Sequence, residues 1–413
     1  LDFLKKSFWT GFSSLAFAAY SFITNKLFSI YFGPQGVTLL AHFQNLVAIF
    51  TTITNEGINR GLIKIFANPD ITRKEWNATF TYGLLLTFIS FLVILAALFL
   101  FNNTFRNDFP PSLFDPLNLI FLIVAVLLHM LGLMFISLLM AMQHIRAFTL
   151  LSVLNNMIGL ILVYIGLQKG LVTSLIYLCI SPASMLVVIV WYYYRSNIER
   201  LRNFIWTLDK MAFNQIIQFV FTALASAVLS RVVDFFVRSY LIKSFNPHQT
   251  GLWQAIAKIS DGYTTIFSAA LGILIFTKIA SFINDEKKMR IFVRKSLAFT
   301  AFTTGIGMMV IYIYIEPIVK TLYSAEFVEG SYLLPFLLLG DWFKFPTWIF
   351  GFLLQAHLKT KTFIAAQLIS SALYVGLIAI LIPYFSLETM PIAHFIRYIL
   401  YFGLMYYLCR KWI

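Results

Sequence analysis

Charge is scarce in this sequence: Asp, Glu, Lys and Arg make up 12% of its 413 residues, and hydrophobic side chains 60%. A soluble domain carries about a quarter charged residues, and one aqueous core has no room for so much apolar surface. An ordinary water-soluble enzyme is excluded. Cysteine is nearly absent, and Cys179 and Cys409 lie far apart, each in or beside an apolar run. Such a pair gives neither a disulfide framework nor metal-ligand spacing, so no metal is expected. The chain has no GxxxxGK[ST] loop for a nucleotide, no HExxH, and no soluble insertion to house either, so neither a cofactor nor a catalytic residue is expected. Connections such as 102–116 and 317–330 are too short for a large glycan-processing site. The period-2 alternation of an outer-membrane barrel is missing too.

What the sequence has instead is long apolar runs. Segments 84–101 and 119–142 reach the roughly 20 residues that cross a hydrocarbon core, where the backbone must be helical to satisfy its own hydrogen bonds. The pattern predicts twelve spans, at 7–32, 37–57, 77–101, 117–142, 146–167, 171–194, 212–243, 249–276, 295–316, 331–356, 361–382 and 389–409. The first run is too long for the apolar part of a signal peptide and passes straight into the second, so it is expected to stay as a helix. The expected fold is an all-α membrane protein.

The net charge of +14 does not form the stripe that nucleic acid requires, and no nucleic-acid partner is expected. Most loop Lys and Arg lie at the N-terminus, in 58–76, 143–146, 195–211, 277–295 and 357–361, and at the C-terminus. The alternate connections hold only Arg106, Lys169, Lys243 and Lys320. This asymmetry predicts both termini on the cytoplasmic side. The longest polar connection on that side, 195–211, divides the chain into an N-terminal lobe (1–194) and a C-terminal lobe (212–413) of six helices each. The lobes echo one another. Phe32-Gly33-Pro34-Gln35-Gly36 corresponds to Phe245-Asn246-Pro247 with Gly251, and Ala147-Phe148 to Thr362-Phe363. An even number of spans per lobe predicts a pseudo-two-fold axis along the membrane normal, with a central cavity between the lobes.

Several charges fall within the spans: Lys26, Arg231, Arg238, Lys258, Lys344 and Arg397, with Asp234, Asp261 and Asp341. A charge at a lipid-facing helix centre costs roughly 2.5–3.5 kcal/mol, so these side chains are expected to face protein or water. Helical spacing gathers them: Arg231, Asp234 and Arg238 on one face, and Gln254, Lys258 and Asp261 on another. His394 joins Arg397, and His42, Asn45 and Glu56 add a polar stripe. The bland reading is three ion pairs, Arg231–Asp234, Lys258–Asp261 and Asp341–Lys344. It leaves Lys26, Arg238 and Arg397 as an excess of positive charge, which predicts a cationic cavity for an anionic cargo; arginine in particular suits a phosphate fork. His42 and His394 are either proton relays or packing residues.

Ser7-Phe8-Trp9-Thr10, Asn25-Lys26-Leu27, Gly251-Leu252-Trp253-Gln254 with Ser260-Asp261, and Gly340-Asp341-Trp342-Phe343-Lys344 together resemble the Wzx-type lipid-linked oligosaccharide flippases. These belong to the polysaccharide transporter group of the multidrug/oligosaccharidyl-lipid/polysaccharide exporter superfamily. The resemblance implies a MATE-like fold and an inner-membrane flippase, not an enzyme. The implied cargo is an undecaprenyl-pyrophosphate-linked glycan, either an O-antigen unit or lipid III. Membrane lipids and other O-antigen assembly proteins are the implied partners, and H⁺ or Na⁺ the implied coupling ion. Lys26, Arg238, Asp261, Asp341 and Lys344 match charged positions of the group, whereas Gln44 stands where the resemblance implies arginine. Two rivals remain. A multidrug exporter of the same architecture would want acids in its cavity, and a membrane-embedded polymerase or ligase would want a large periplasmic loop.

Overall fold

The computed structural model describes residues 2–66, 68, 70–142, 144–195, 203–223, 229–271, 275–283, 285–357 and 359–413. It is all helical, with no strand among the described residues. Six helical stretches among these residues are long and apolar enough to cross a membrane, or seven if the bent pair Gly11–Thr52 and Thr54–Phe66 counts as one. One stretch, Lys361–Trp412, holds two of the spans expected from the sequence. Phe88, Val93, Phe99, Phe299, Phe302 and Met309 expose large apolar side chains, as helices surrounded by lipid do.

By packing, the chain forms two units. Unit 1 comprises Leu1–Phe32 and Leu39–Tyr240, and unit 2 comprises Gly33–Thr38 and Leu241–Ile413. Unit 1 contains most of α1 (Asp2–Thr52), a π-helical turn at Ile53–Ile58, α2 (Asn59–Phe66), α3 (Arg73–Leu100) and α4 (Asn102–Asp108). It continues with α5 (Pro116–Ala141), α6 (Ile145–Lys169), α7 (Leu171–Arg195), α8 (Lys210–Ala223) and most of α9 (Leu229–Phe245). Thr72 and Glu75 start α3 with a reciprocal capping box, which satisfies two of the amides that a helix start leaves open. The core at this end is an aromatic ladder. Phe66 stacks on Trp76, Trp76 on Phe80, and Phe80 meets Phe204 edge-on, with centroids 5.1, 5.2 and 5.2 Å apart. Phe204 belongs to the 195–211 connection, of which 196–202 lie outside the described residues. The rest is docked: Asn203 accepts from the Arg73 guanidinium at 3.1 Å, and the Thr207 amide donates to Thr81 at 3.3 Å.

Unit 2 contains α10 (Pro247–Leu271), α11 (Thr277–Ser281), α12 (Glu286–Ile313) and α13 (Ile315–Leu322). A 3₁₀ stretch (Ala325–Leu333) leads into α14 (Leu334–Ala356), α15 (Thr360–Phe385) and α16 (Thr389–Cys409). Helix α14 is its centre, packed against α10, α12, α15 and α16.

Among the described residues four have positive φ: Gly33 (60°), Gly170 (114°), Asn246 (78°) and Ser386 (50°). Gly33 and Asn246 fall where the sequence predicts the connection between the first and second spans of each half, and Gly170 and Ser386 where it predicts the connection between the fifth and sixth. Gly33 and Asn246 each precede a proline, which disfavours the helical conformation and breaks the chain there. In unit 2 the two breaks touch. Thr38 Oγ1 donates to the Pro247 carbonyl at 2.6 Å, and a Cβ on Gly251 would collide with the Pro34 backbone. Glycine is required at 251 by that approach.

Candidate functional site

The densest polar cluster lies inside unit 2, around Asp341 on α14. The Asp341 side chain is fully buried and has four donors on its two oxygens. Ser260 Oγ and Tyr263 Oη, both from α10, donate to Oδ2 at 2.5 Å each. Lys344 Nζ donates to Oδ1 at 3.2 Å, and His394 Nε2 of α16 lies 3.0 Å from the same oxygen. A carboxylate offers about four lone-pair positions, so this one is saturated. Facing only an acceptor, His394 Nε2 carries its proton toward Asp341. The cluster exists because α14 and α16 come close at Gly340: a Cβ there would run into the His394 ring and lie 3.1 Å from the Phe395 backbone. Close approach at a small residue followed by polar contact is a recurring way to join membrane helices. Gly340→Ala is therefore expected to push His394 away from Asp341 and lower the melting temperature of detergent-solubilised protein by several degrees. A control Gly307→Ala, whose Cβ would meet nothing within 4 Å, should leave it unchanged.

From Asp341 the cluster extends to two cations joined by one ring. Lys344 Nζ, which also donates to Thr264 Oγ1 at 3.3 Å, lies 5.9 Å from the Tyr398 centroid. The Arg397 guanidinium lies 4.9 Å from the same ring and 5.2 Å from Tyr374, and its Nε donates to Ser370 Oγ at 2.8 Å. Among the described residues Arg397 meets no carboxylate. Held by rings and one hydroxyl, it has further N–H donors that make no hydrogen bond among the described residues.

In unit 1, His42 is fully buried and sandwiched between Phe109 and Phe235, with centroids 4.8 and 4.4 Å away. Its Nε2 lies 3.5 Å from Asp108 Oδ2, which accepts from Ser239 Oγ at 2.5 Å. Arg238 beside it donates to the Ala41 carbonyl at 2.7 Å.

The structure thus sorts the residues singled out in the sequence. Asp341, Lys344, His394 and Arg397 come together in unit 2, and His42 and Arg238 lie near one another in unit 1. The Asp341–Lys344 pair forms, but the expected Lys258–Asp261 pair does not. Asp261 is exposed and has no ion pair among the described residues, because the face of α10 that meets α14 carries its neighbours Ser260 and Tyr263. Lys258 is half-buried and engaged elsewhere. Lys26 and Arg238, expected as excess positive charge, each have partners, as does the exposed Asp234; Arg397, the third, has a hydroxyl and two rings as its partners. The Arg231 side chain, and with it the Arg231–Asp234 pair, lies outside the described residues. Glu56 is half-buried in the π-helical turn and pairs with Arg60 one turn on; Asn45 and Gln254 are buried. Sequence reasoning missed Asp108 and gave the hydroxyls of Ser260 and Tyr263 no part in holding Asp341. Asp108 sits in a connection between spans, where a carboxylate reads as solvated, and hydroxyls carry no charge to draw attention.

The arrangement is that of a multi-span membrane bundle with polar clusters inside each unit, and the fold is that of the MOP-superfamily transporters. An inward-facing multidrug resistance MATE family transporter of that superfamily superposes with a TM-score of 0.76 at 13% identity, over 95% of this chain and 94% of the other. The lipid II flippase MurJ, in an inward closed conformation, gives 0.69 at 16%, over 98% and 87%. The chain belongs to the polysaccharide biosynthesis protein family, whose model matches residues 32–331. A relative named lipid III flippase, from Escherichia coli (strain K12), is 23% identical over 411 residues, 98% of this chain and 97% of the relative.

Proposed function

We propose that this protein is a flippase that moves a polyprenyl-pyrophosphate-linked oligosaccharide from the cytoplasmic to the periplasmic leaflet of a bacterial inner membrane. The observation that carries the reading is Arg397, a cation clamped by Tyr374, Tyr398 and Ser370 with no carboxylate among the described residues, beside Lys344 on the shared Tyr398 ring. Unbalanced positive charge within a membrane bundle calls for an anionic ligand. A planar guanidinium with open donors matches pyrophosphate oxygens. The family and the relative named lipid III flippase support the same cargo class; an O-antigen unit fits the chemistry equally well.

The transport cycle in this reading is alternating access of two six-helix lobes, with twelve spans and both termini cytoplasmic. The matching positive-φ breaks of the two halves support the repeat that such a cycle needs. Lys26, Arg231, Arg238 and Lys258 would assist the pyrophosphate, and His42, Asn45, Glu56 and Gln254 the polar cavity. A ligand shifts the lobes only through unequal affinity for the two states, so net movement needs a coupling source. The membrane potential or an H⁺ or Na⁺ gradient fills that role, with Asp234, Asp261 and Asp341 as the ionisable groups. The MATE neighbour raises a second reading, an organic-ion exporter, which the Arg397 and Lys344 cations disfavour for cationic drugs. Mass spectrometry of lipid co-purified with the protein tests the choice. A pyrophosphate-linked glycan is expected, and a drug-like organic cation in its place would overturn the proposal.

A further inference from the structure

Unit 1 contains a cavity of about 620 Å³ that the anion reading does not use. It lies where α2, the start of α3 and the start of α8 meet, and its lining includes Lys64, Glu75, Thr79, Asp209, Gln215 and Phe219. Pockets of a few hundred cubic ångströms hold ligands of drug size, which is also the size of one or two sugar rings.

The chemistry of the lining narrows the occupant. The lining carries two carboxylates, Glu75 and Asp209, and the ammonium of Lys64, while Lys74 Nζ lies 3.6 Å from Asp209 Oδ2; the charges balance, so the site has no excess of positive charge to draw pyrophosphate. Both carboxylates are already fixed by the helix starts. Glu75 Oε2 accepts from the Thr72 amide and hydroxyl at 3.0 Å each, and Asp209 Oδ1 accepts from the amides of Met211 at 2.8 Å and Ala212 at 3.3 Å. These amides hold the Asp209 carboxyl below the usual carboxylate range, so it stays an acceptor at neutral pH. Lys64 lies over the Phe219 ring at 5.3 Å, and that ring packs where Gly61 has no side chain.

Two groups are left over. The Gln215 amide is exposed and makes no hydrogen bond among the described residues. Thr79 is 1% exposed, yet its Oγ1 has no hydrogen-bond partner among the described residues. The hydroxyls of Thr24, Thr54, Thr87 and Thr300 share that state among the described residues, but other helical threonines bond back to a carbonyl one turn earlier, as Thr51 does to Val47 and Thr304 to Thr300. Thr79 does not, although a buried hydroxyl without a partner is unfavourable. A hydroxyl at the base, a primary amide at the rim, carboxylate acceptors and an aromatic wall together suit a neutral ligand rich in hydroxyl or amide groups.

We propose that this cavity is a carbohydrate subsite that takes one or two sugar residues of the glycan through Thr79 and Gln215. It rests on the flippase reading for the source of the glycan and separates glycan recognition from pyrophosphate binding. The test uses the full chain in lipid nanodiscs and saturation-transfer NMR. The probes are three soluble disaccharides (an N-acetylated amino sugar, a neutral hexose and one with a uronic acid) and, separately, inorganic pyrophosphate. At least one disaccharide should bind, and Gln215→Leu and Thr79→Val should each weaken it at least fivefold without altering pyrophosphate binding. Gln215 is exposed, so its variant is expected to fold even if the buried Thr79→Val does not. Absence of binding by all three disaccharides, or binding that survives Gln215→Leu, would overturn the proposal. Disaccharide binding that responds as expected while pyrophosphate fails to bind would uphold the subsite and count against the flippase reading instead.

Discussion

Replacing Arg397 with alanine is expected to slow flipping of a fluorescent polyprenyl-pyrophosphate-linked oligosaccharide in proteoliposomes by at least tenfold, with little change in thermal stability. The reasoning starts from what the guanidinium does in the resting protein. It makes one hydrogen bond, to Ser370, and lies over two rings, with no carboxylate partner among the described residues. Removing it strands no opposite charge, so the structural cost is limited to lost packing and cation–π contact, on the order of 1–2 kcal/mol. The functional cost is larger, because charge-assisted bonds to a phosphate oxygen in a site shielded from water are among the stronger polar contacts. Arg397→Lys should recover only part of the rate, since an ammonium supplies a point charge without the fork. Competition by inorganic pyrophosphate gives an independent readout: its inhibition of flipping should weaken in Arg397→Ala. An unaltered flipping rate in Arg397→Ala would remove the anion site from unit 2.

The fold was largely legible because membrane physics leaves few options. Apolar runs of the required length must be helices, and prolines after Gly33 and Asn246 mark where those helices break. The structure has positive φ at both residues and brings Thr38 against Pro247 at the second break. Site residues were legible where they carry charge at helical spacing. Asp341 and Lys344 are three positions apart and do pair. The same rule failed one helix away: Lys258 and Asp261 have the same spacing, yet Ser260 and Tyr263 are the side chains α10 turns toward Asp341. Spacing says which residues share a face; it does not say which face a neighbouring helix covers. That is a tertiary fact, seen here in the contacts of Ser260 and Tyr263 on α10 with Asp341 on α14. Asp108 failed for a different reason. A connection between spans reads as wet, whereas this one folds back so that Asp108 and Phe109 meet His42 in the interior of unit 1.

Asp341→Asn should be the most damaging single change in unit 2, for stability and transport together. The carboxylate is fully buried and serves four donors, two of them Lys344 and His394. Asparagine preserves the shape but removes the charge and turns one acceptor oxygen into a donor nitrogen. That nitrogen would face either the Lys344 and His394 pair or the hydroxyls of Ser260 and Tyr263. The hydroxyls can rotate to accept; the ammonium cannot. Lys344, with only 13% of its side chain exposed, is then left without its counter-charge. Breaking a buried ion pair from one side typically costs roughly 3–5 kcal/mol, much of it from the charge left behind. The expected result is a melting temperature lowered by several degrees and flipping reduced to background. The double variant Asp341→Asn/Lys344→Met separates the two effects, because it removes both charges and leaves none stranded. It should recover most of the thermal stability while transport stays at background, since Lys344 is one of the two cations on Tyr398. If the double variant regained transport along with stability, Asp341 and Lys344 would be a structural brace and Arg397 would have to bind the anion without them.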